Sequence, residues 1–352
     1  MTSETESRSQ VEAPPDSVRR WFAIHLPEAV QPLRYELIAG GNSNLTYLVT
    51  DSGGTRFVLR RPPFNSVLAT AHDMEREWRV IKGLENTAVP VPPALGLCRD
   101  PKIWGAPFYV MGFIDGYVQH SLDITLQCST PAERSLTGSS LFDVLADLHA
   151  VDVDAHGLSA HGPRTGFVGR QLKRWYSQYR TSQSRDIPDV DHVHRLLAAA
   201  LPSATEVTLT HGDYRLGNCI TSHSGPVSAV LDWEISTLGD PLADLAYCLN
   251  TWPRPGSPLA ELSDSATAPS MADGFASADE LLQRYAIRSG RDVSNIQYYV
   301  AFNHWKYACI VQGMVSRIRS GSHSNAEGVD LVGFERAIDE RAALARRTIQ
   351  HL

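Results

Sequence analysis

Apolar and polar positions alternate through "RYELIAGGNSNLTYLVTDSGGTRFVLRRPP" (residues 34–63), in short β-branched and aromatic runs broken at "GGNSN" and "DSGG". Runs of this kind, bounded by turn-forming residues, predict three strands. The period then changes. In "AHDMEREWRVIKGLEN" the spacing predicts a helix over 71–85, with Met74, Trp78, Ile81, Leu84 and Glu85 on one side. Glu75, Arg76, Arg79 and Lys82 fall largely on the other. "VPVPPALGLC" and "APFYVMGFIDG" read as an extended segment and two more strands. After Gly116 the pattern turns mostly helical, in "SSLFDVLADLHAVD", "RQLKRWYSQYR", "VDHVHRLLAAAL" and two long helices around 294–318 and 326–350. Strand character returns only near "VTLTH", "NCIT" and "VSAVLDWE". Trp252–Gly274, rich in Pro, Ser and Gly, reads as a loop or lid, and there is no internal repeat. Sheet in front and helix behind suggest two lobes with a cleft between them. Before "SVRRWFAIHL", a short amphipathic helix, the polar residues 1–16 read as a disordered tail without the apolar core of a signal peptide.

Some charged residues fall where apolar ones are expected. Glu77 lies between Ile81 and Leu84 on the helical wheel and so points with the apolar stripe, where an unpaired carboxylate would cost several kcal/mol. It needs a cation. In "RFVLRRPP" the strand period puts Val58 and Arg60 on one face and Phe57, Leu59 and Arg61 on the other. Arg60 is the expected partner, with Arg61 in reserve. On these residues alone the pair serves equally well as a structural tie between helix and sheet.

The stretch "LTHGDYRLGNCI" holds His211, Asp213 and Asn218 between apolar segments. "NCITSHSGPVSAVLDW" reads as a hairpin turning at "SHSG", so Asn218 at the start of one strand is expected beside Asp232 at the end of the other. A carboxamide oxygen and a carboxylate make a hard, oxygen-only pair suited to Mg²⁺ that keeps its waters and a substrate phosphate. Asp213, off the hairpin, is left as a proton acceptor, which is the division of labour phosphoryl transfer needs. His211 has no second His or Cys at ligand spacing and is expected to order the loop. Asp240 before Pro241 reads as a helix N-cap. Asp244, one turn on, is expected to buttress the loop.

Composition narrows the field. The 352 residues suffice for two to three compact units; 43% hydrophobic and 20% charged residues are ordinary for a globular protein. A net charge of −7 argues against nucleic acid or an anionic membrane as the main partner, and no run has the length of a membrane span. Five scattered cysteines without C-x-x-C fit a reducing cytoplasm.

With these residues in place, "HGDYRLGN" followed by "VLDWEISTLGDPLADLAY" resembles the aminoglycoside phosphotransferase and choline kinase family. It is closest to the kinase-like domains associated with acyl-CoA dehydrogenases. The likeness runs over most of residues 35–320. It implies an α+β, bilobal protein-kinase-like fold: a small antiparallel-sheet N-lobe with one key helix (17–112), a hinge (113–118), and a larger, mainly helical C-lobe (119–352). It implies ATP and Mg²⁺, with Asp213 as catalytic base and Asn218 and Asp232 on the metal. Arg60, held by Glu77, would meet the nucleotide phosphates. Gly40, Gly41, Asn42 and Ser43 would form the turn over those phosphates, and Val110–Phe113, with Met111 and Phe113, the hinge against adenine beside Val58. Two departures matter. The loop lacks the G-x-G-x-x-G of protein kinases, which shifts phosphate contacts to Ser43, Asn44 and backbone N–H groups. An arginine at position 60 has a different fork geometry from lysine.

The implied activity is phosphorylation of a small-molecule hydroxyl by a cytoplasmic monomer or homodimer. An aminoglycoside is polycationic and calls for a strongly acidic pocket, whereas the 252–274 segment offers only Glu261, Asp264 and Asp273. The reading therefore leans to a hydroxylated metabolite such as a hydroxyacyl thioester, with an antibiotic kinase as alternative. An inert nucleotide-binding scaffold would be marked by loss of Asp213, Asn218 or Asp232, and none is lost. Metal-dependent hydrolysis lacks the bridging ligands of a two-metal site.

Overall fold

A computed structural model of the chain describes residues 14–39, 44–64, 73–203, 206–321 and 329–350. Gly40, Gly41, Asn42 and Ser43, and nearly all of the expected tail, lie outside these residues. The chain divides into two compact units. One takes in residues up to Asn86, Val91–Asp115 and Asp232–Glu234; the other holds Thr87–Pro90, Gly116–Leu231 and the residues from Ile235 on.

The first unit comprises α1 (Asp16–His25), β1 (Arg34–Ala39), β2 (Leu45–Thr50), β3 (Arg56–Arg61), α2 (Met74–Leu84), β4 (Ala94–Cys98), α3 (Pro101–Trp104) and β5 (Phe108–Gly112). Its strands form one antiparallel five-stranded sheet in the order β1-β2-β3-β5-β4. The turn between β2 and β3 is tied by Asp51, whose carboxylate accepts from the Val30 N–H at 3.0 Å and the Thr55 N–H at 2.7 Å.

The strand period sorts the two faces of this sheet. Tyr47, Val49, Phe57, Leu59, Phe108 and Val110 join Val18, Trp21 and Phe22 of α1 in one buried core. Arg61 shares that face: its guanidinium lies 3.6 Å from the Phe64 ring centroid and 4.6 Å from that of Trp104. On the other face Val58 and Arg60 stand in register with Met111 and Tyr109 of β5. Asp73 caps α2, accepting from the Arg76 N–H at 2.9 Å, and the helix buries Met74, Glu77, Val80, Ile81 and Leu84.

The second unit holds α4 (Leu122–Cys128), α5 (Pro131–His149), α6 (Phe167–Ser182), α7 (Pro188–Ala199), β6 (Thr208–Thr210), β7 (Cys219–Thr221), β8 (Val227–Val230), β9 (Thr237–Gly239), α8 (Pro241–Asn250), α9 (Ala278–Ser289), α10 (Ile296–Arg319) and α11 (Leu331–Ile349). The strands pair as β6 with β9 and β7 with β8. Helix α10 is buried along most of its length and packs against α11, α8, α6 and α7. Polar ties fix its rotation: Asn303 donates to the Ala243 carbonyl at 2.8 Å and Trp305 to that of Val190 at 3.0 Å.

Here the structure departs from the sequence reading in a few places. Helix α5 begins at Pro131, eight residues before the apolar periodicity, because Thr130 and Glu133 form a capping box with proline in the first turn. A second capping box, Ser277 with Glu280, starts α9 in a stretch for which the sequence reading names no element. The three-residue β9 is too short to show a period. Trp252–Gly274 is irregular, with two 3₁₀ turns, and it is pinned in place. Trp252 donates to the Ala276 carbonyl at 3.1 Å, Arg254 to that of Ala272 at 2.6 Å, and Asp273 pairs with Arg134 at 2.6 Å.

Candidate active site

In the first unit, β3 and α2 bring a cation and an acid together. Arg60 Nη1 donates to Glu77 Oε1 at 2.6 Å, and Glu77 is fully buried. The guanidinium bridges onward, its Nη2 donating to Asp232 Oδ1 at 3.1 Å. Burial works against the Arg60 charge, but Glu77, Tyr109 and Asp232 outweigh it and raise its pKa. Asp232 as a second partner, and the buried Tyr109 beside the pair, were not legible from spacing. Asp232 itself is a non-glycine residue at φ 66°, in the left-handed region that Asp tolerates better than most. Such backbone cost persists where surrounding contacts hold it.

Other residues singled out in this unit have defined places. Val58 and Met111 are buried opposite each other on the Arg60 face. Phe113 is covered by the Arg56 guanidinium, 3.9 Å from its ring centroid. Asn44 is buried and directs its amide to Glu234 Oε2 at 3.5 Å. Arg61 stacks on the opposite face, so the reserve partner for Glu77 is not used.

In the second unit, the loop after β6 is held by one acid. Asp244, on α8, accepts from the N–H of His211 at 2.7 Å and of Gly212 at 2.8 Å. Although burial opposes its charge, His149 and His211 keep its pKa below the usual carboxylate range. Gly212 has φ 86°, and a Cβ there would stand 3.2 Å from Ile235, so both backbone and space call for glycine. The His211 ring contacts the Leu231 carbonyl through Nε2 at 2.8 Å and accepts from the Asp213 N–H through Nδ1 at 3.3 Å. The two contacts tie the ring to the end of the β7–β8 hairpin and to the Asp213 backbone. Asp240 caps α8, accepting from the Leu242 N–H at 3.0 Å and from the Tyr299 hydroxyl at 2.7 Å.

Asp213 is thereby fixed at its backbone, and its carboxylate is fixed too. Asn218 Nδ2 donates to Asp213 Oδ2 at 2.7 Å and to its carbonyl at 2.8 Å. The Tyr247 hydroxyl donates to Oδ1, and Arg215 Nε stands 3.4 Å from the same oxygen. With its nitrogen turned to Asp213, the Asn218 amide keeps its oxygen as an acceptor. The Asn218 carbonyl accepts from the Leu231 N–H at 2.8 Å, extending the β7–β8 ladder up to the residue before Asp232. Asn218 and Asp232 are oxygen donors of the kind Mg²⁺ takes, and a cluster of three or more His, Cys, Asp or Glu able to hold a metal is absent among the described residues. Each of the two side chains, by its own chemistry, suits a magnesium ion which keeps several waters.

Tyr247, Arg215 and Lys306 were missed by the sequence reading. Tyr247 had a signal, since it lies three residues after Asp244 on α8 and shares its face. Lys306 had none: it sits on α10 and reaches this place only through helix packing. Its Nζ is 5.9 Å from the Tyr247 ring centroid.

A mixed α+β chain with this sheet, this strand-to-helix ion pair and this Asp–Asn loop has the protein-kinase-like fold of small-molecule phosphotransferases. The chain belongs to the phosphotransferase enzyme family (APH), whose profile matches residues 34–286. It is 33% identical over 323 residues to mouse "Acyl-CoA dehydrogenase family member 10", a match covering 91% of this chain and 30% of that one. The chain thus spans about a third of that relative's length. Among solved structures, a Ralstonia eutropha protein assigned as an aminoglycoside phosphotransferase superposes with a TM-score of 0.80 at 31% identity, covering 96% of this chain and 98% of that one. Choline kinase from Cryptosporidium parvum shares the fold, with a TM-score of 0.63 at 11% identity over 96% of each chain. No helix among the described residues is long and apolar enough to cross a membrane.

Proposed function

We propose that the chain transfers the γ-phosphoryl group of ATP to a hydroxyl of a small hydroxylated acyl metabolite, such as a hydroxyacyl thioester. The acceptor oxygen forms a bond to phosphorus, the bond from phosphorus to the ADP oxygen breaks, and Asp213 takes the hydroxyl proton. The observation that carries this reading is the double hold of Asn218 on Asp213, through the carboxylate and the backbone carbonyl. It orients the base and presents the amide oxygen to a cation with one side chain. Asn218 and Asp232 would hold Mg²⁺, which when bound supplies positive charge to the phosphates. Arg60, kept charged and aimed by Glu77, would contact the nucleotide phosphates, with Val58, Met111 and Phe113 against the base.

Two observations support an acyl acceptor. The acyl-CoA dehydrogenase relative carries a region similar to this chain. Asp264 and Asp273, two of the three acids in Trp252–Gly274, are already engaged, Asp264 with Arg341 at 2.9 Å and Asp273 with Arg134. Their charge is already offset by those arginines, which lowers their pull on a polycation. The Ralstonia neighbour favours a second reading, an aminoglycoside kinase.

The test is ATP-dependent phosphorylation by wild type and Asp213→Ala, read by mass spectrometry on a metabolite extract and on hydroxyacyl-CoA thioesters. Wild type should add one phosphate; the variant should lose about 10²–10⁴-fold in rate while still binding ATP. Undiminished turnover by Asp213→Ala would remove that residue from its role. Clear protection of cells against aminoglycosides would replace the acyl acceptor by the antibiotic.

A further inference from the structure

The carboxylates around Asp213 in the second unit are matched one by one, whereas the Lys306 ammonium is not. Asp213 is engaged by Tyr247, Asn218 and Arg215. Asp244 is engaged by the N–H groups of His211 and Gly212 and by His149 at 3.4 Å. Lys306 is half-buried beside the Tyr247 ring. Burial pushes its pKa down, against the attraction of the Asp244 and Asp213 carboxylates and with the repulsion of Arg174. Yet no hydrogen bond or ion pair of that ammonium occurs among the described residues. A structural counter-ion would close to within salt-bridge distance of a carboxylate, as Arg60 does with Glu77. Lys306 instead keeps three N–H donors directed by a rigid, buried helix into the neighbourhood of the base.

We propose that Lys306 binds the phosphoryl acceptor. Its ammonium donates to an acyl oxygen, either a carboxylate or a thioester carbonyl, of the molecule whose hydroxyl stands at Asp213. This contact selects hydroxyacyl acceptors over cationic alcohols, which would meet a like charge. The inference deepens the phosphotransferase reading and rests on it.

Steady-state kinetics with ATP and Mg²⁺ test it, using wild type, Lys306→Met and Lys306→Arg against 3-hydroxybutyryl-CoA, 3-hydroxybutyrate and choline. Wild type should phosphorylate one or both acyl probes and discriminate against choline; which probe is used separates thioester from carboxylate. Lys306→Met should raise KM for that probe about tenfold to a hundredfold, the loss of one charge-assisted hydrogen bond, with KM for ATP unchanged. Lys306→Arg should recover part of the loss. Should the methionine variant melt early, Lys306→Gln, which keeps a donor, takes its place in the same comparison. Equal acceptor KM in wild type and variant, or preference of wild type for choline, overturns the proposal. Wild type that hydrolyses ATP but leaves both acyl probes untouched also overturns it, leaving the phosphotransferase reading intact. Wild type that neither hydrolyses ATP nor modifies any probe removes that reading and this inference together.

Discussion

The hydroxyl of Tyr247 donates a hydrogen bond to the carboxylate of Asp213, on the oxygen opposite the one taken by Asn218. The acid is gripped from two elements, a loop and α8, which restricts both its rotamer and the direction of its lone pairs. Burial and the nearby Asp213 charge both push the Tyr247 phenol pKa up, so it remains a donor at any physiological pH.

Tyr247→Phe should therefore lower kcat while leaving nucleotide binding alone. Loss of one hydrogen bond to a charged group corresponds to about tenfold or more in rate. Rapid-quench kinetics with an accepted substrate, beside ATP titration of the same preparation, would show it. An unchanged kcat would mean that Asn218 and Arg215 suffice to hold the base.

The Arg60–Glu77 pair can be separated into its structural and functional parts. Arg60→Met strands a fully buried carboxylate and should cost about 3–5 kcal/mol in denaturant unfolding. Adding Glu77→Leu removes the stranded charge and should return most of that stability. It should not return phosphoryl transfer. Recovery of both together would reduce the pair to a structural tie.

Asp244→Asn keeps the shape of the side chain but replaces one acceptor oxygen by a donor facing the N–H groups of His211 and Gly212. Two charge-assisted hydrogen bonds inside a buried site are weakened at once, so a loss of about 3 kcal/mol is expected. The loop carrying Asp213 should loosen with it. Thermal unfolding and amide exchange at Gly212 would report the two effects; a stability equal to wild type would contradict the anchoring role.

His304 makes stability depend on pH. The ring is buried, and Arg341 Nη1 stands 3.3 Å from its Nδ1, so Nδ1 carries no proton. Burial first, then the Arg341 and Arg347 charges, hold its pKa well below 6.5. A histidine whose folded pKa is depressed contributes stability that is whole above its unfolded pKa and is lost as pH falls through the window below it. Below pH ~6.5 the unfolded chain gains a proton that the folded chain refuses, at up to about 1.4 kcal/mol per pH unit. His304→Gln keeps an acceptor for Arg341 and removes the titration. Its thermal midpoint between pH 7 and 5 should fall less steeply than that of wild type, and parallel curves would exclude His304 as a source of acid sensitivity.

Much of this site was legible before any coordinates. The strand period assigned Arg60 to the face that meets Glu77, and the helical wheel marked Glu77 as an acid in an apolar stripe. The Asp-Pro dipeptide announced the cap of α8, and the "SHSG" turn announced the β7–β8 hairpin. Each of these depends on residues within a few positions of one another, where backbone geometry leaves little choice. Apolar spacing marks only the later part of helix α5, because its start is set by a cap.

What the sequence alone determined is local: periods, turns, caps and the residue types in one loop. Tertiary structure decided which distant groups meet. It placed Lys306 beside Tyr247 though long stretches of chain separate them, turned Asp232 onto Arg60 through a left-handed backbone, and engaged Asp264 and Asp273 with arginines from other helices. Those choices follow from how buried helices pack and which charges must be paired once water is excluded, and neither leaves a periodic trace along the chain.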